Sequence, residues 1–245
     1  VPNSGYYALE EVADTFTVLD TVTLDATVVG SPSFSPSFAQ ISDTNGIFNS
    51  NTRQLTVLNT INVTDLNTQV ILPVDLPAGD HYRIRLVSGT PTVPSNGGIP
   101  TNEFVVESPY TKIWQGGDPG DTTDWHTAGN WVPSGAPTTS DIVLVTDVSA
   151  CPIASSAAAE ALALVTYGCT TTVNSGQSLI IDSTITVNAG YIDVEDGVLT
   201  LSGTSAQTIN SPLTVGQLEI DNSAGVTLNS MVRVLEQASL TSGQL

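Results

Sequence analysis

An all-β protein, a β-sandwich followed by a parallel β-helix or related β-solenoid, is the fold class that the 245-residue sequence predicts. Three observations predict it. Thr, Ser, Asn and Val are abundant beside 20 Gly and 14 Pro, a mixture that favours pleated strands separated by turns. Long stretches with helical apolar spacing are absent. Short apolar strands recur instead, in a pattern that changes character near the middle of the chain.

The first region, residues 1–108, has the strand density of a β-sandwich. About eight short alternating strands are expected in roughly 100 residues, with turn residues between them. The expected strands are 15–19, 22–29, 38–41, 54–58, 61–63, 70–72, 82–87 and 103–106. Tyr82 follows Leu76 and Gly79 at the spacing of a tyrosine corner, so its ring is expected under the sheet with its hydroxyl bonded back to the loop. Arg83 and Arg85 then lie on the opposite face, where acidic neighbours or an acidic glycan are their possible partners.

Part of this region also carries a family resemblance. The segments Phe-Ala-Gln-Ile-Ser-Asp from Phe38 and Leu-Pro-Ala-Gly-Asp-His-Tyr-Arg-Ile-Arg-Leu-Val-Ser from Leu76 resemble an immunoglobulin-like module of Bacteroidetes surface proteins. The resemblance covers about residues 12–107. It implies an immunoglobulin-like β-sandwich.

The second region, residues 109–141, holds all three tryptophans of the chain, Trp114, Trp125 and Trp131. A Trp, then Asp-Trp, then Gly-Asn-Trp, a Pro and Asp-Ile-Val resemble the opening of a repeat region in secreted Bacteroidetes adhesin-like proteins. The resemblance implies display on the cell surface and export by type IX secretion, and it carries no catalytic residues over. His126 stands where such proteins often have Asn.

The third region, residues 142–245, predicts a β-solenoid. Strands such as 179–181, 185–187, 192–194, 198–201, 218–220, 226–228 and 232–235 recur with Gly, Asn or Ser in nearly every gap. Strands this short bury little alone, whereas stacked coils of about 20 residues share a continuous core. A second β-sandwich is the alternative. Because the pattern is still running at Leu245, the solenoid is expected to continue past it.

Cys151 and Cys169 predict a disulfide. They are the only cysteines, and no histidine near them suggests a zinc site. Their spacing is about one coil, and neighbouring coils lie ~4.8 Å apart in the pairing direction, within the span of a disulfide. A disulfide fits an extracellular address.

Two candidate binding sites lie in the Trp-rich region. Asp118, Asp121 and Asp124 are spaced by three in a Gly-containing loop, so they are a candidate calcium site, with a solvated acidic loop as the alternative. No other cofactor is expected. The three tryptophans are candidates for a sugar-stacking platform, and the favoured alternative is that they plug the open end of the solenoid core.

Three tripeptides resemble the short O-glycosylation motif of exported Bacteroidetes proteins. They place candidate glycosylation at Thr21, Thr122 and Ser183. Asn62-Val63-Thr64 also matches the N-glycosylation pattern, which carries little meaning in a bacterium.

The charge balance limits the partners. With 24 acidic residues against 5 lysines and arginines, the net charge is −19. Backbone binding to nucleic acid needs clustered Lys and Arg, so nucleic acid and anionic membrane surfaces are disfavoured. No apolar run reaches 18 residues, so no membrane insertion is expected.

The sequence gives little support to an enzyme. Polysaccharide lyases on β-helices need a basic side chain, yet Arg233 is the only one beyond residue 142, and no histidine follows His126. A carboxylate-pair hydrolase through Asp193, Glu195 and Asp196 is the remaining enzymatic interpretation, with a charged solvent face as the alternative. We therefore expect no enzyme but a structural or adhesive module of a secreted bacterial surface protein, which extends or forms an adhesin or surface filament. Its expected partners are further repeats of the same chain or other surface proteins. An extracellular glycan-binding module is the alternative function.

Overall fold

The computed structural model describes residues 4–32, 36–59, 61, 67–87 and 99–243. The chain divides into two compact units, Val1–Ser108 and Pro109–Leu245. The described residues contain no α-helix, and their helical structure is limited to one 3₁₀ turn, Ala128–Asn130. No helix in these described ranges is long and apolar enough to cross a membrane.

The first unit is built from short strands. They are β1 (Ser4–Leu9), β2 (Thr15–Thr17), β3 (Thr21–Leu24), β4 (Ala26–Val29), β5 (Ser31–Pro32), β6 (Phe38–Ile41), β7 (Arg53–Gln54), β8 (Thr56–Val57), β9 (Thr68–Ile71), β10 (Gly79–Tyr82), β11 (Ile84–Val87) and β12 (Phe104–Glu107). These strands form four three-stranded sheets with the orders β4-β1-β5, β10-β12-β2, β11-β6-β7 and β3-β9-β8. Most neighbours run antiparallel, while β1 with β5 and β12 with β2 are parallel.

Alternation along these strands places their apolar side chains in the core. In β3, Val22 and Leu24 are buried between the exposed Thr21 and Thr23, as the two-residue period of a strand requires. The predicted strand 38–41 coincides with β6, and the predicted strand 22–29 is divided at Asp25 into β3 and β4. Strand β1 was not predicted, and most of the predicted strand 61–63 lies outside the described residues.

The second unit consists of longer strands. They are β13 (Lys112–Trp114), β14 (Trp131–Val132), β15 (Ile142–Thr146), β16 (Ile153–Ala154), β17 (Ala159–Val173), β18 (Ser178–Leu201), β19 (Gln207–Ile209), β20 (Leu213–Asn222), β21 (Val226–Leu228) and β22 (Val232–Gly243). All ten belong to one sheet. Except for β13 with β14, their pairings are parallel.

The parallel pairings stack the chain into a solenoid of about five coils. Ile142, Ala163, Thr184, Thr208 and Thr227 follow one another across the coils in a single row of paired residues. Successive members of the row are about 20 residues apart, the repeat length expected of such a coil. The predicted short strands between residues 179 and 201 are successive sections of β18, which continues through the corners of the coil.

One hydrophobic core runs through the coils. It includes residues from β15, β17, β18, β19, β20 and β21, such as Val143, Leu164, Ile185, Ile209 and Val226. Each coil contributes apolar side chains from alternate positions, and most of the side chains between them are half-buried or exposed. The all-β class and the C-terminal β-solenoid are therefore confirmed, and small β-sheets make up the N-terminal unit.

Glycine permits the close approach of neighbouring coils at the corners. Gly190 has a φ of 84°, a backbone conformation that side chains with a Cβ rarely adopt. A Cβ at this position would overlap the carbonyl oxygens of Gly168 and Cys169 in the preceding coil. The corner of the coil at Asn188-Ala189-Gly190, within β18, therefore depends on the absence of a side chain at Gly190.

Candidate functional site

The three tryptophans are brought together by two different pairings. Strands β13 and β14 place Trp114 opposite Trp131. Trp125 is held against β16, where its backbone N–H donates to the Ile153 carbonyl at 3.0 Å. The Trp131 ring lies 4.8 Å from each of the other two ring centroids, and both contacts are edge-to-face, a geometry that aromatic rings prefer.

These tryptophans are part of the solenoid core. Trp114, Trp125 and Trp131 are 0%, 0% and 1% exposed and belong to the same cluster as the coil residues. The prediction that they form a sugar-stacking platform is wrong, because none of their ring faces is open to a sugar. Their burial fits the alternative stated above, in which the three rings plug the open end of the solenoid core.

Two of the indole N–H groups also join separate segments. Trp114 Nε1 donates to the Ala150 carbonyl at 2.6 Å, and Trp131 Nε1 donates to the Trp125 carbonyl at 2.7 Å. Because buried indoles lose stability when their N–H is left without an acceptor, these bonds fix how the Trp-rich segment packs.

Asn130 organises the acidic loop, and sequence reasoning missed it. Its side chain is fully buried. Asn130 Oδ1 accepts the Asp118 N–H at 2.8 Å, and Nδ2 donates to the carbonyls of Asp121 and Asp124 at 2.7 and 3.0 Å. The Gly-Asn-Trp tripeptide that carries the family resemblance contains this residue, so a signal for it was present in the sequence.

The three loop aspartates bind their own turns. Asp118 Oδ1 accepts the Gly120 N–H at 2.8 Å, and Asp121 Oδ1 accepts the N–H groups of Thr123 and Asp124 at 3.0 and 3.1 Å. The hydrogen bond from the Thr123 backbone is the largest cause of the lowered pKa of Asp121. These are the local side-chain-to-backbone bonds that stabilise Asx turns.

Nothing in this loop gathers the carboxylates around a cation. Asp124 Oδ2 accepts the Thr127 hydroxyl at 3.0 Å, so it too serves a local turn. Across the described ranges, no group of three or more His, Cys, Asp or Glu side chains is placed to hold a metal ion. Asp118, Asp121 and Asp124 are therefore not grouped around one point in the described structure, where local turns use carboxylate oxygens of all three, and calcium binding at this loop stays a prediction.

The predicted disulfide is confirmed. Cys151 and Cys169 are bonded, with 5.4 Å between their Cα atoms. Beside the bond, β16 pairs with β17 through Ile153 and Thr172, so the bond joins neighbouring coils. Cys169 is 2% exposed and lies in the core cluster. The bond therefore links the segment after β15 to the wall of the coil beneath it.

The tyrosine corner of the first unit is confirmed as well. The Tyr82 hydroxyl donates to the Pro77 carbonyl at 2.9 Å, and the ring stacks on Phe104 with 6.3 Å between centroids. Burial is the main cause that raises the pKa of Tyr82 to about 12, against the opposing charge of Arg53.

Among the residues that the structure describes, neither of the two arginines that follow has an acidic partner, contrary to expectation. Arg85 Nε and Nη2 donate to Gln40 Oε1 at 3.1 and 2.9 Å, and the guanidinium lies 4.2 Å from the Phe48 ring centroid. Arg83 Nε donates to the Thr101 carbonyl at 3.5 Å. A neutral amide and a cation–π contact thus replace the expected ion pair for Arg85.

The candidate O-glycosylation residues differ in exposure. Thr21 in β3 and Thr122 in the acidic loop are exposed, and Ser183 in β18 is half-buried. Asn62-Val63-Thr64 lies outside the described residues. An enzyme that attaches a sugar needs access to the hydroxyl, so Thr21 and Thr122 are better placed than Ser183.

Polar and aromatic side chains converge on an outer wall of the solenoid in β18. Asp193 and Glu195 point outward because Ile192 and Val194, both 1% exposed, point into the core. Tyr191 is 38% exposed, and its hydroxyl donates to Glu195 Oε1 at 3.1 Å. Burial and this hydrogen bond raise the pKa of Tyr191, and a hydrogen bond with Thr214 in the next coil opposes the shift.

Comparison with known proteins finds a family model that matches part of the chain. A family model described as "Domain of unknown function (DUF8693)" matches residues 113–210. No curated protein matches the chain, and no solved structure matches it. The matched range begins in β13 and ends one residue after β19. The similarity therefore extends over the tryptophan cluster, the disulfide and the first coils together, and its description assigns no activity.

Proposed function

We propose that the chain is a non-catalytic structural and adhesive module of a secreted bacterial cell-surface protein, in which the solenoid extends or spaces binding elements. The observation that carries the proposal is the single sheet of the second unit, parallel in all pairings except β13 with β14, in which the coils share one continuous core. Stability in such a stack depends on contacts between neighbouring coils, so coils can be added without changing the rest of the fold.

The disulfide supports an extracellular address. Cys151 and Cys169 are bonded across neighbouring coils, and structural disulfides persist in oxidising compartments. The net charge of −19 supports solubility outside the cell and disfavours nucleic acid as a partner. Export by type IX secretion remains part of the proposal, and it rests on the sequence resemblance.

Further coils or another surface protein are the proposed partners of the last described strand. In β22, Leu235 and Leu240 are 43% and 55% exposed. Val232 and Val234 are only partly buried where they meet the core. Exposed apolar groups along a strand that pairs on one side favour coverage by another strand.

The location is tested on intact cells that produce the protein. Antibodies raised against the purified chain are applied before and after lysis, and a cytoplasmic protein of the same cells serves as the control. The proposal predicts strong immunogold labelling of intact cells and its loss after brief protease treatment. Labelling that requires lysis contradicts the proposed location.

The absence of catalysis is tested separately. Purified protein is incubated with neutral and acidic polysaccharides, and newly formed reducing ends are measured. We expect no release above that of the Asp193→Ala variant. Release by the unaltered protein that Asp193→Ala abolishes would instead establish the carboxylate-pair hydrolase.

A further inference from the structure

We infer that the outer wall of the solenoid around Tyr191 is a binding face for a neutral linear glycan. The inference goes beyond the proposed role and does not depend on where the protein is located. It rests on two adjacent rows of side chains that the parallel register aligns across successive coils.

The first row is apolar and exposed. Strand β20 pairs with β22 through Leu213 and Val232, so Pro212 and Met231, which precede them, are neighbours. Pro212 is exposed and Met231 is 74% exposed. Tyr191 occupies the corresponding position one coil earlier, three residues before the Val194–Val215 pair. Tyr191, Pro212 and Met231 thus follow one another along the stack of coils.

The second row is polar and lies two residues further along each strand. Asp193 precedes Val194 and Thr214 precedes Val215, and these two valines pair. Thr214 in turn pairs with Arg233. Side chains two residues apart share one face of a strand, so Asp193, Thr214 and Arg233 border the apolar row and point to the same side.

An apolar row beside a row of carboxylate, hydroxyl and guanidinium groups matches the chemistry of a pyranose. One face of the sugar ring presents C–H groups, which pack on the negative face of an aromatic ring. The edge of the ring carries hydroxyl groups, which donate to Asp193 and accept from Arg233 in charge-assisted hydrogen bonds. Neighbouring coils lie ~4.8 Å apart, a spacing close to the length of one sugar unit in an extended chain.

The charged groups of this face are open to such a ligand. The Arg233 guanidinium has no ion pair with any residue in the described ranges, and Arg233 is exposed. Asp193 is half-buried, and the only hydrogen bond that its carboxylate accepts in those ranges is a long one, 3.3 Å from the Glu195 N–H.

Tyr191 is held in place before a ligand arrives. Its hydroxyl bonds to Glu195 and has a second polar neighbour in Thr214, so ordering the ring on binding loses little conformational freedom. Because Asp193 and Glu195 lie beside the aromatic ring and the net charge is −19, an acidic polysaccharide would be repelled. The ligand class is therefore a neutral glycan.

The test is calorimetric titration of the full chain with cellohexaose, xylohexaose and mannohexaose, with hexagalacturonate as the acidic comparison. We expect at least one neutral oligosaccharide to bind and hexagalacturonate to bind more weakly. Tyr191→Ala should weaken that binding about tenfold or more. Tyr6→Ala is the matched control, because Tyr6 is also 38% exposed but lies in the first unit.

A second variant keeps the test decisive if Tyr191→Ala fails to fold. Asp193→Asn removes a charge without removing volume and should also weaken binding. The inference is overturned if none of the three neutral hexasaccharides binds, or if Tyr6→Ala and Tyr191→Ala reduce binding equally. It is also overturned if Tyr191→Ala changes only self-association in sedimentation, because the face would then be a protein interface.

Discussion

The two units use the same residue types to form opposite kinds of β-structure. In the first, turns are irregularly spaced and the short strands divide into four three-stranded sheets. In the second, the coils repeat about every 20 residues and the turns within each coil are spaced at fractions of that length. All ten strands of this unit belong to one sheet. The spacing of the turns, rather than the abundance of Thr, Val and Ser, therefore distinguishes a set of small sheets from a stack of coils.

The units also differ in what fixes their geometry. Side-chain bonds between residues far apart in sequence hold the first unit, such as the Arg53–Asp75 ion pair at 2.7 Å and the Arg85–Gln40 hydrogen bond. The second unit depends on contacts that repeat from one coil to the next. A substitution in one unit should therefore change the stability of that unit and leave the stability of the other unchanged. We expect calorimetry to resolve two thermal unfolding transitions, one for each unit.

The largest effect is expected from Trp131→Ala. The substitution removes the ring that contacts both other tryptophans and leaves a cavity in the solenoid core. Truncating a buried aromatic side chain costs about 3–5 kcal/mol. In calorimetry, only the unfolding temperature of the second unit should fall. Tyr6→Ala is the control, and an equal shift of both transitions would show that the units do not unfold separately.

A slightly smaller effect is expected from removing the disulfide. The double variant Cys151→Ser and Cys169→Ser opens a loop of 18 residues, which corresponds to about 3 kcal/mol in the chain-entropy model. Urea unfolding of the two forms measures the difference, and the reduced native protein should behave like the double variant. Unchanged stability of the second unit would mean that the Trp-rich segment alone holds the first coils.

Coil stacking is tested by a pair of glycine substitutions. Gly190 and Gly176 both have positive φ, 84° and 78°. A Cβ at Gly190 would overlap the preceding coil, whereas a Cβ at Gly176 has no neighbour within 4 Å. Backbone strain alone costs about 1 kcal/mol. Gly190→Ala should therefore lower the free energy of unfolding by roughly 1 kcal/mol more than Gly176→Ala does. Equal effects would argue against tight stacking at this corner.

The smallest effect is expected from Tyr82→Phe in the first unit. It removes the hydroxyl that bonds to the Pro77 carbonyl and should cost about 1 kcal/mol. The pKa of Tyr82 is about 12 in the folded chain, against 10.0 for a free tyrosine. The unfolded chain therefore loses this proton first, and the stabilisation is lost as pH rises from 10 through 12. The decline in stability of the first unit over that interval should be smaller in Tyr82→Phe.

Strand patterns predicted most of the architecture because burial and alternation are local properties. Strand β17 shows where this reasoning fails. Its first residues include Ala159 and Ala161, which point into the core and are both 0% exposed. Alanine is a weak strand former, so the segment resembles no strand in isolation. These small side chains belong to the same core cluster as the three tryptophans. The two sets of residues come together only when the chain folds into coils, so the sequence alone does not reveal it.

The sites were predicted less well because their chemistry depends on distant neighbours. The spacing of the loop aspartates suggested a cation, yet the turns around Asp118 and Asp121 use their oxygens as acceptors for backbone N–H groups. The face around Tyr191 was missed because its members are about 20 residues apart in sequence. They become neighbours only when β18, β20 and β22 pair in parallel.

The redox state of Cys151 and Cys169 in the producing cells tests most directly whether the protein is an extracellular module held by its disulfide. Cells are quenched in acid, free thiols are blocked with a maleimide, and the two cysteines are identified by mass spectrometry before and after reduction. We expect nearly all chains to carry the Cys151–Cys169 bond and to take up no maleimide until they are reduced. Free thiols at both positions in most chains would contradict the extracellular assignment.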